Sequence, residues 1–322
     1  MDHTELDVII VGGGSAGLSA ALMLGRSRRR VLVVDGGAPR NRFAAHMHGV
    51  LGHDHSSPLD LLAAGRAELT RYDDVAVESG TVVSAAPLDT DGIGFEVELE
   101  TGERHTARRM LLATGLRDEL PDIPGLAEQW GRNVALCPYC DGWEVRDRRI
   151  AVIATEAANT QQAQLMRQLS PHVRFYTQGV GLPDAARAGL EARGIAVEPR
   201  TVVEVVGDDG GGLRGIRLDD GTEHEADSIF VAPRPVPNDR LLRELRARTM
   251  RQGGVDWVLV DASGRTNVPG LWAAGNIATA QSSVPVAMAA GNLAGSGING
   301  DLVEEDIRDA VAASRASRGS TR

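Results

Sequence analysis

Between Leu6 and Val11 the chain reads LDVIIV, an apolar and largely β-branched run. GGGSAG follows, and then LSAALMLGRS, whose apolar positions recur at helical spacing. A second apolar run, RVLVVDG, ends at Asp35 and Gly36. Strand, glycine turn, helix and strand within about 30 residues predict a βαβ unit, and strands that are apolar throughout predict a parallel sheet covered on both faces. NRFAAHMHGVLGHDHSSPLDLLAAGRAEL reads as a loop followed by a helix, and the alternation in GTVVSAAP and GFEVELETGE predicts a hairpin or meander. ARRMLLATGLRDELPDIPG predicts a strand ending in a turn, with Pro121 and Pro124 marking a domain boundary.

A second α/β pattern begins further on: RRIAVIAT as strand, ANTQQAQLMRQLS as helix, HVRFYTQ as strand, DAARAGLEARG as helix and IAVEP as strand. TVVEVVGDDGG and GIRLDDGTEHEADSIFVAP predict a β-meander. WVLVDASGRTNVPGLWAAGN returns to strand and turn, and VPVAMAAGNLAGSGING reads as a helix of small residues. The charged tail after Asp301 is expected to fray.

A length of 322 residues exceeds the size at which one core stops growing, so two lobes are expected. The formal charge of -10 sets most of the surface against nucleic acid and anionic membranes. MDHTELDVII shows no basic segment ahead of a long apolar core, and no apolar run approaches the roughly 18 residues of a membrane helix. The expectation is a soluble, cytoplasmic protein.

Gly12, Gly14 and Gly17 form G-x-G-x-x-G after a strand and at the opening of a helix. The first glycine suits the tight turn, the second the approach of a pyrophosphate and the third close helix–strand packing, while Asp35 stands where a carboxylate holds ribose hydroxyls. The motif alone also describes an ordinary glycine-rich turn. The two cysteines, Cys137 and Cys140, form a C-x-x-C at which Pro138 suits a first helical position, and a thiol at a helix start has a lowered pKa. Three readings stay open for the pair: redox chemistry, a structural staple, or zinc completed by two of His46, His48, His53 and His55. The chain holds no second C-x-x-C, and no metal is expected.

LLATG at 111–115, TNVPGLWAAGN at 266–276 and CPYCDG at 137–142, taken with the glycine fingerprint, resemble the low-molecular-weight thioredoxin reductase family of FAD-dependent disulfide oxidoreductases and its dithiol-oxidase relatives. The resemblance covers nearly the whole chain. It implies an α/β fold of two Rossmann-like, three-layer ββα dinucleotide-binding domains, the second inserted in the first: residues 1–118 and 248–322 for FAD, and residues 119–247 for an NADPH-domain-like insert carrying CPYC. It also implies a homodimer, and it places FAD against Gly12, Gly14, Ser15, Ala16, Gly17, Asp35, Gly36, Arg40, Asn41, His48, Ala113, Thr114, Gly115, Gly275, Asn276, Gln281 and Ser282. Asn276 departs from the family's Asp, although an amide can still bond a ribityl chain. Gln281 and Ser282 precede a helix whose N-terminus would face the flavin pyrimidine, or they simply cap it.

By the same resemblance Cys140 lies against the flavin and forms the adduct with it, Cys137 exchanges with substrate sulfur, and Asp141 handles the proton. The bland alternative for Asp141 is a surface or capping aspartate. Several of the oxidases carry His after the second Cys. In this chain His46 or His48 could supply a base instead, unless they are merely solvated.

In the insert, where the family carries a second glycine fingerprint, the chain reads IAVIATEAANTQQAQ. Ala154, Thr155 and Glu156 replace glycines, and Glu156 sets a negative charge by the diphosphate position. FYTQGVGLPD, after the next strand, lacks the family's arginine cluster for a 2'-phosphate. NADPH is therefore a doubtful ligand. The expected function is oxidation of a small-molecule dithiol to its disulfide, with electrons passing through FAD to O2. The alternatives are NADPH-dependent reduction of thioredoxin or a small disulfide, and a non-catalytic flavin redox sensor.

Overall fold

The computed structural model describes residues 6–88 and 94–319. By contact the chain forms two compact units: Met1–Arg40, Leu59–Arg117 and Val236–Arg322 in one, Asn41–Pro58 and Asp118–Pro235 in the other.

In the first unit Leu6–Val11 is central and runs parallel to Val31–Asp35 and to Arg104–Leu112, with Leu271–Ala273 parallel on the far side of the latter. Val75–Ser79 extends the other edge in parallel, and the hairpin Val82–Pro87 and Phe95–Leu99 joins Arg104–Leu112 antiparallel. Alternate residues feed two cores, as the pleat requires. Val8, Ile10, Val31 and Val33 pack under Ala20, Leu24, Ala294, Ile298 and Leu302 of two helices, Ser15–Arg26 and Val284–Gly319. Ile9, Val11, Leu32 and Val34 face Val82, Phe95, Val97 and Leu99 of the hairpin. Val8, Ile9 and Ile10 are 0% exposed, and burying each such side chain stabilises by roughly 1.5–3 kcal/mol.

The second unit repeats this plan. Ile150–Ile153 lies parallel to Val173–Tyr176 and Ser228–Val231, with Ala196–Glu198 and Val134–Ala135 at the edges. Ile150 and Val152 pack against Ala163, Met166 and Leu190 of the helices Thr160–Leu169 and Asp184–Ala192. Ala151 and Ile153 face Val202, Val205 and Ile216 of an antiparallel sheet. Each unit is thus a three-layer ββα fold.

Three expectations need correction. Ser228–Val231 leaves the meander and joins the parallel sheet, because all four of its residues are buried, which an edge strand with one wet face does not allow. The return to the first unit comes at Val236, before the expected 248, because Leu241, Leu242 and Leu245 of the segment around helix Arg240–Glu244 fill its core. The tail is helix to Gly319, anchored as far as Asp306. Arg109, with a side chain 0% exposed, donates to Asp301 at 2.6 Å and pairs with Glu305, while Arg108 and Arg29 hold Asp306 at 2.6 and 2.8 Å.

Candidate active site

In the first unit the strand Leu6–Val11 delivers the chain into Gly12, whose φ of +109° and contact with the Ala113 carbonyl leave no room for a side chain. Gly14 caps the helix Ser15–Arg26 without any side-chain hydrogen bond, and a β-carbon there would meet nothing within 4 Å. Open space over an uncapped helix start suits a diphosphate, with Ser15, Ala16 and Gly17 supplying the first turn. Asp35 Oδ1 accepts from the backbone N–H of Gly13 at 3.1 Å and of Gly37 at 3.2 Å, and its other oxygen pairs with Arg66. Gly36 is exposed beside it. Asp35, Gly37, Arg66, Thr70 and Ser79 are among the residues lining a cavity of about 370 Å³. Arg66 escaped the sequence reading because nothing in its own helix distinguishes it; only the fold sets it on Asp35.

The 111–115 motif packs beside this turn. Ala113 N–H donates to Val11, and Thr114 and Asn238 bond reciprocally: the Thr114 hydroxyl to the Asn238 carbonyl at 2.9 Å, the Asn238 amide to the Thr114 carbonyl at 2.8 Å. Asn238 N–H also holds the Gly115 carbonyl at 3.0 Å. Gly275 has φ +79°, and a β-carbon on it would sit 2.9 Å from that of Ala16, so the third motif closes on the helix start. Arg40 donates to the Ala280 carbonyl at 3.1 Å. The Ser282 hydroxyl is buried without a partner, while Gln281 is exposed. An orphaned buried hydroxyl and an open, uncapped turn fit a dinucleotide, and these residues can hold FAD.

Asn276 acts as a staple. Its side-chain N–H groups lie 3.1 Å from the Thr279 carbonyl, 3.4 Å from that of Ala280 and 3.1 Å from that of Ser282. A carboxylate can donate to none of these. Asn276→Asp, although it restores the residue common in the resembled family, is expected to loosen the 276–282 loop by about 1–3 kcal/mol. Its FAD affinity should fall about tenfold or more, read as flavin retained on ultrafiltration.

In the second unit Cys137 and Cys140 are joined as a disulfide with Cα atoms 5.2 Å apart. Cys137 is the N-cap of the short helix Pro138–Asp141, Pro138 takes the first helical position, and Cys140 N–H points at Cys137 Sγ from 3.2 Å. Disulfide closure leaves neither sulfur to a metal. Gln162 donates to the carbonyl of Leu136, just ahead of the pair, at 2.6 Å. Burial pushes the Asp141 carboxyl up to about 6, with the charge of His48 opposing the rise and that of Glu144 adding to it. His48, 12% exposed, has Nε2 3.7 Å from Glu144 and Nδ1 3.7 Å from Asp54. His48 and Asn41 therefore lie in the same unit as the disulfide, whereas the glycine, Asp35, 113–115 and 275–282 residues all belong to the other.

The turn after Ile150–Ile153 is filled from within. Asn159 Oδ1 accepts from Thr155 N–H at 2.7 Å, Glu156 N–H at 2.9 Å and the Thr155 hydroxyl at 3.1 Å. One carboxamide oxygen thus takes two backbone donors and a hydroxyl at the turn where a phosphate would bind. After Val173–Tyr176, the turn is pinned by Gln178 (φ +48°), which donates to the Val202 carbonyl at 3.1 Å and accepts from its N–H at 2.6 Å. No cation stands in that turn.

Two ββα units, one with a dinucleotide turn and one with a closed C-x-x-C beside a half-buried carboxyl, define a flavin-linked disulfide oxidoreductase. Residues 6–291 match the pyridine nucleotide-disulphide oxidoreductase family, and the chain belongs to it as a thioredoxin reductase-like, FAD-binding oxidoreductase. It is 34% identical over 314 residues to thioredoxin reductase tcpT of Claviceps purpurea, covering 93% of this chain and 95% of that one. To thioredoxin reductase aclD of Aspergillus oryzae it is 32% identical over 310 residues, covering 93% and 97%. The crystal structure of HlmI superposes with a TM-score of 0.92 at 40% identity over 97% of both chains. The oxidoreductase from Agrobacterium tumefaciens gives 0.86 at 36% identity, covering 93% and 99%. Among the described residues no helix is long and apolar enough to cross a membrane.

Proposed function

We propose that the protein is a dithiol oxidase: it converts a small-molecule dithiol to its intramolecular disulfide, and dioxygen takes the electron pair and two protons to become hydrogen peroxide. The observation that carries this reading is the Asn159 side chain, which takes the backbone N–H groups of Thr155 and Glu156 in the second nucleotide turn, where the diphosphate of NADPH would otherwise find them. In this reading electrons enter from the sulfur side.

A substrate thiolate attacks Cys137 Sγ, the Cys137–Cys140 bond breaks, and Cys140 leaves as thiolate. The second substrate thiolate attacks the substrate sulfur of the mixed disulfide and releases Cys137. Each attack needs a thiol to lose its proton, and Asp141, half-buried and next to Cys140 in the chain, is the group we assign to hold one of them. Bound FAD supplies the two-electron acceptor that reoxidises the cysteine pair and the donor that reduces dioxygen. Gly12, Gly14, Ser15, Ala16, Gly17 and Asp35 would hold its diphosphate and ribose, and Ala113, Thr114, Gly115, Gly275, Asn276 and Ser282 the remainder. A cytoplasmic homodimer belongs to the same proposal.

That relatives such as tcpT and aclD are called thioredoxin reductases favours a second reading, which we take as an NADPH-dependent reductase of thioredoxin-like proteins. One anaerobic titration separates the two. Dithiothreitol is expected to bleach the flavin absorbance of the yellow protein, and air to restore it with one peroxide per dithiol oxidised, while NADPH and NADH leave it unchanged. Rapid bleaching by NADPH would replace the oxidase with the reductase, and a flavin inert to all three would leave a sensor.

A further inference from the structure

The segment of residues 41–58 carries four histidines, His46, His48, His53 and His55, and the fold gathers two of them around Asp54. The rings of His48 and His55 meet edge to face with centres 4.5 Å apart. Asp54 Oδ1 is 3.7 Å from His48 Nδ1, and Asp54 Oδ2 is 3.6 Å from His55 Nε2. One ligating atom from each of the three residues lies within 4.8 Å of the others. Nitrogen–oxygen separations of this size are too long for hydrogen bonds. They are close to the edge, about 3.4 Å, of a tetrahedron whose metal–ligand distances are about 2.0–2.2 Å.

A second observation points the same way. The far nitrogen of His48 faces Glu144 Oε1 at 3.7 Å, longer than a hydrogen bond but on the side where the outer carboxylate of a metal-bound imidazole stands, so that a small approach would let it take the other N–H and fix the tautomer. The loop itself is closed: Met47 and Ser56 form a bridge, and Gly49 N–H donates to Asp54 Oδ1 at 2.9 Å, so the carboxylate is oriented before any ion arrives.

We propose that His48, Asp54 and His55 form a binding site for a divalent transition metal of the zinc class, with Glu144 as its outer carboxylate. Two imidazoles select against calcium and magnesium, which take oxygen ligands. Three side chains leave a coordination position open to water or a thiolate. The site departs from the sequence expectation, which sought ligands around the cysteines and assigned no metal. It needs neither cysteine and does not depend on the proposed reaction. Because Glu144 follows Cys140 by four residues, an ion on His48 ties the histidine loop to the segment that leaves the disulfide.

The test is a titration of the FAD-loaded full chain, stripped by chelator and with its disulfide closed, using zinc chloride against a chromophoric zinc chelator. A single equivalent should bind per chain at micromolar or lower concentration. Asp54→Asn and His55→Gln should each weaken binding at least about 100-fold and Glu144→Gln about 10–100-fold, while His172→Ala leaves it unchanged. The Asp54 and His55 side chains are 58% and 64% exposed, so the fold is not at stake in these variants, and retained flavin confirms it. No saturable uptake up to about 0.1 mM zinc, or uptake indifferent to Asp54→Asn and His55→Gln, overturns the proposal.

Discussion

Cys140→Ser is expected to abolish bleaching of the flavin by dithiols, slowing it on the order of 10³-fold or more, while the protein keeps its full complement of FAD. The size of the loss follows from the chemistry: a serine oxygen can neither close a disulfide nor leave as a stable anion, and residues that act as one unit lose most of their effect when any member goes. The structural cost should be small. Cys140 is only half-buried, its N–H is held by backbone and sulfur of Cys137, and no residue of the Gly12–Gly17 turn, the 113–115 motif or the 275–282 loop belongs to its unit. Anaerobic absorbance after dithiothreitol addition reads the first effect, and the flavin-to-protein ratio reads the second. Loss of flavin would make Cys140 a structural residue. Undiminished bleaching would mean that electrons bypass the sulfur pair.

Much of this was legible in the residues, for a physical reason. Apolar runs such as LDVIIV and IAVI alternate their side chains between two cores, and a chain that is apolar on both faces can only be a covered parallel strand. Glycine positions read well because Gly12 and Gly275 each sit at positive φ against another motif, a requirement other residues rarely meet. Pairings between distant segments did not read at all. Arg66 on Asp35, Asn238 on Thr114 and Arg109 on Asp301 join residues that no local pattern connects, and the last of them turned an expected frayed tail into ordered helix. Loss of glycine at 154–156 was visible. That Asn159 bends back to fill the gap was not, since an Asn at a helix start ordinarily reads as a cap. The histidine loop was noticed for its composition, yet composition could not say that His48 and His55 converge on Asp54 while His46 and His53 stay apart from that cluster.

Asp141→Asn should lower dithiol turnover about 10²–10⁴-fold and at the same time make the protein more resistant to urea at pH 8. The two effects share one cause. Burial raises the Asp141 pKa from 3.8 to about 6, with His48 opposing and Glu144 reinforcing the rise, so the folded protein prefers the protonated form more than the unfolded chain does. Below about pH 3 both states are protonated and nothing is lost. As pH rises through the window between the two values the unfolded chain releases its proton first, and stability falls until both are ionised above about 7. The strain at neutral pH is on the order of 2–3 kcal/mol, less whatever solvent screens. An asparagine keeps the shape and carries no charge, so its gain over the parent should vanish at about pH 3 and be full at pH 8, read from urea midpoints with chelator present. The turnover limb near pH 6, where the carboxylate becomes able to accept a proton, should disappear in the same variant. A gain in stability independent of pH would show that the buried charge is not its source, and an unaltered limb would assign the proton to another group.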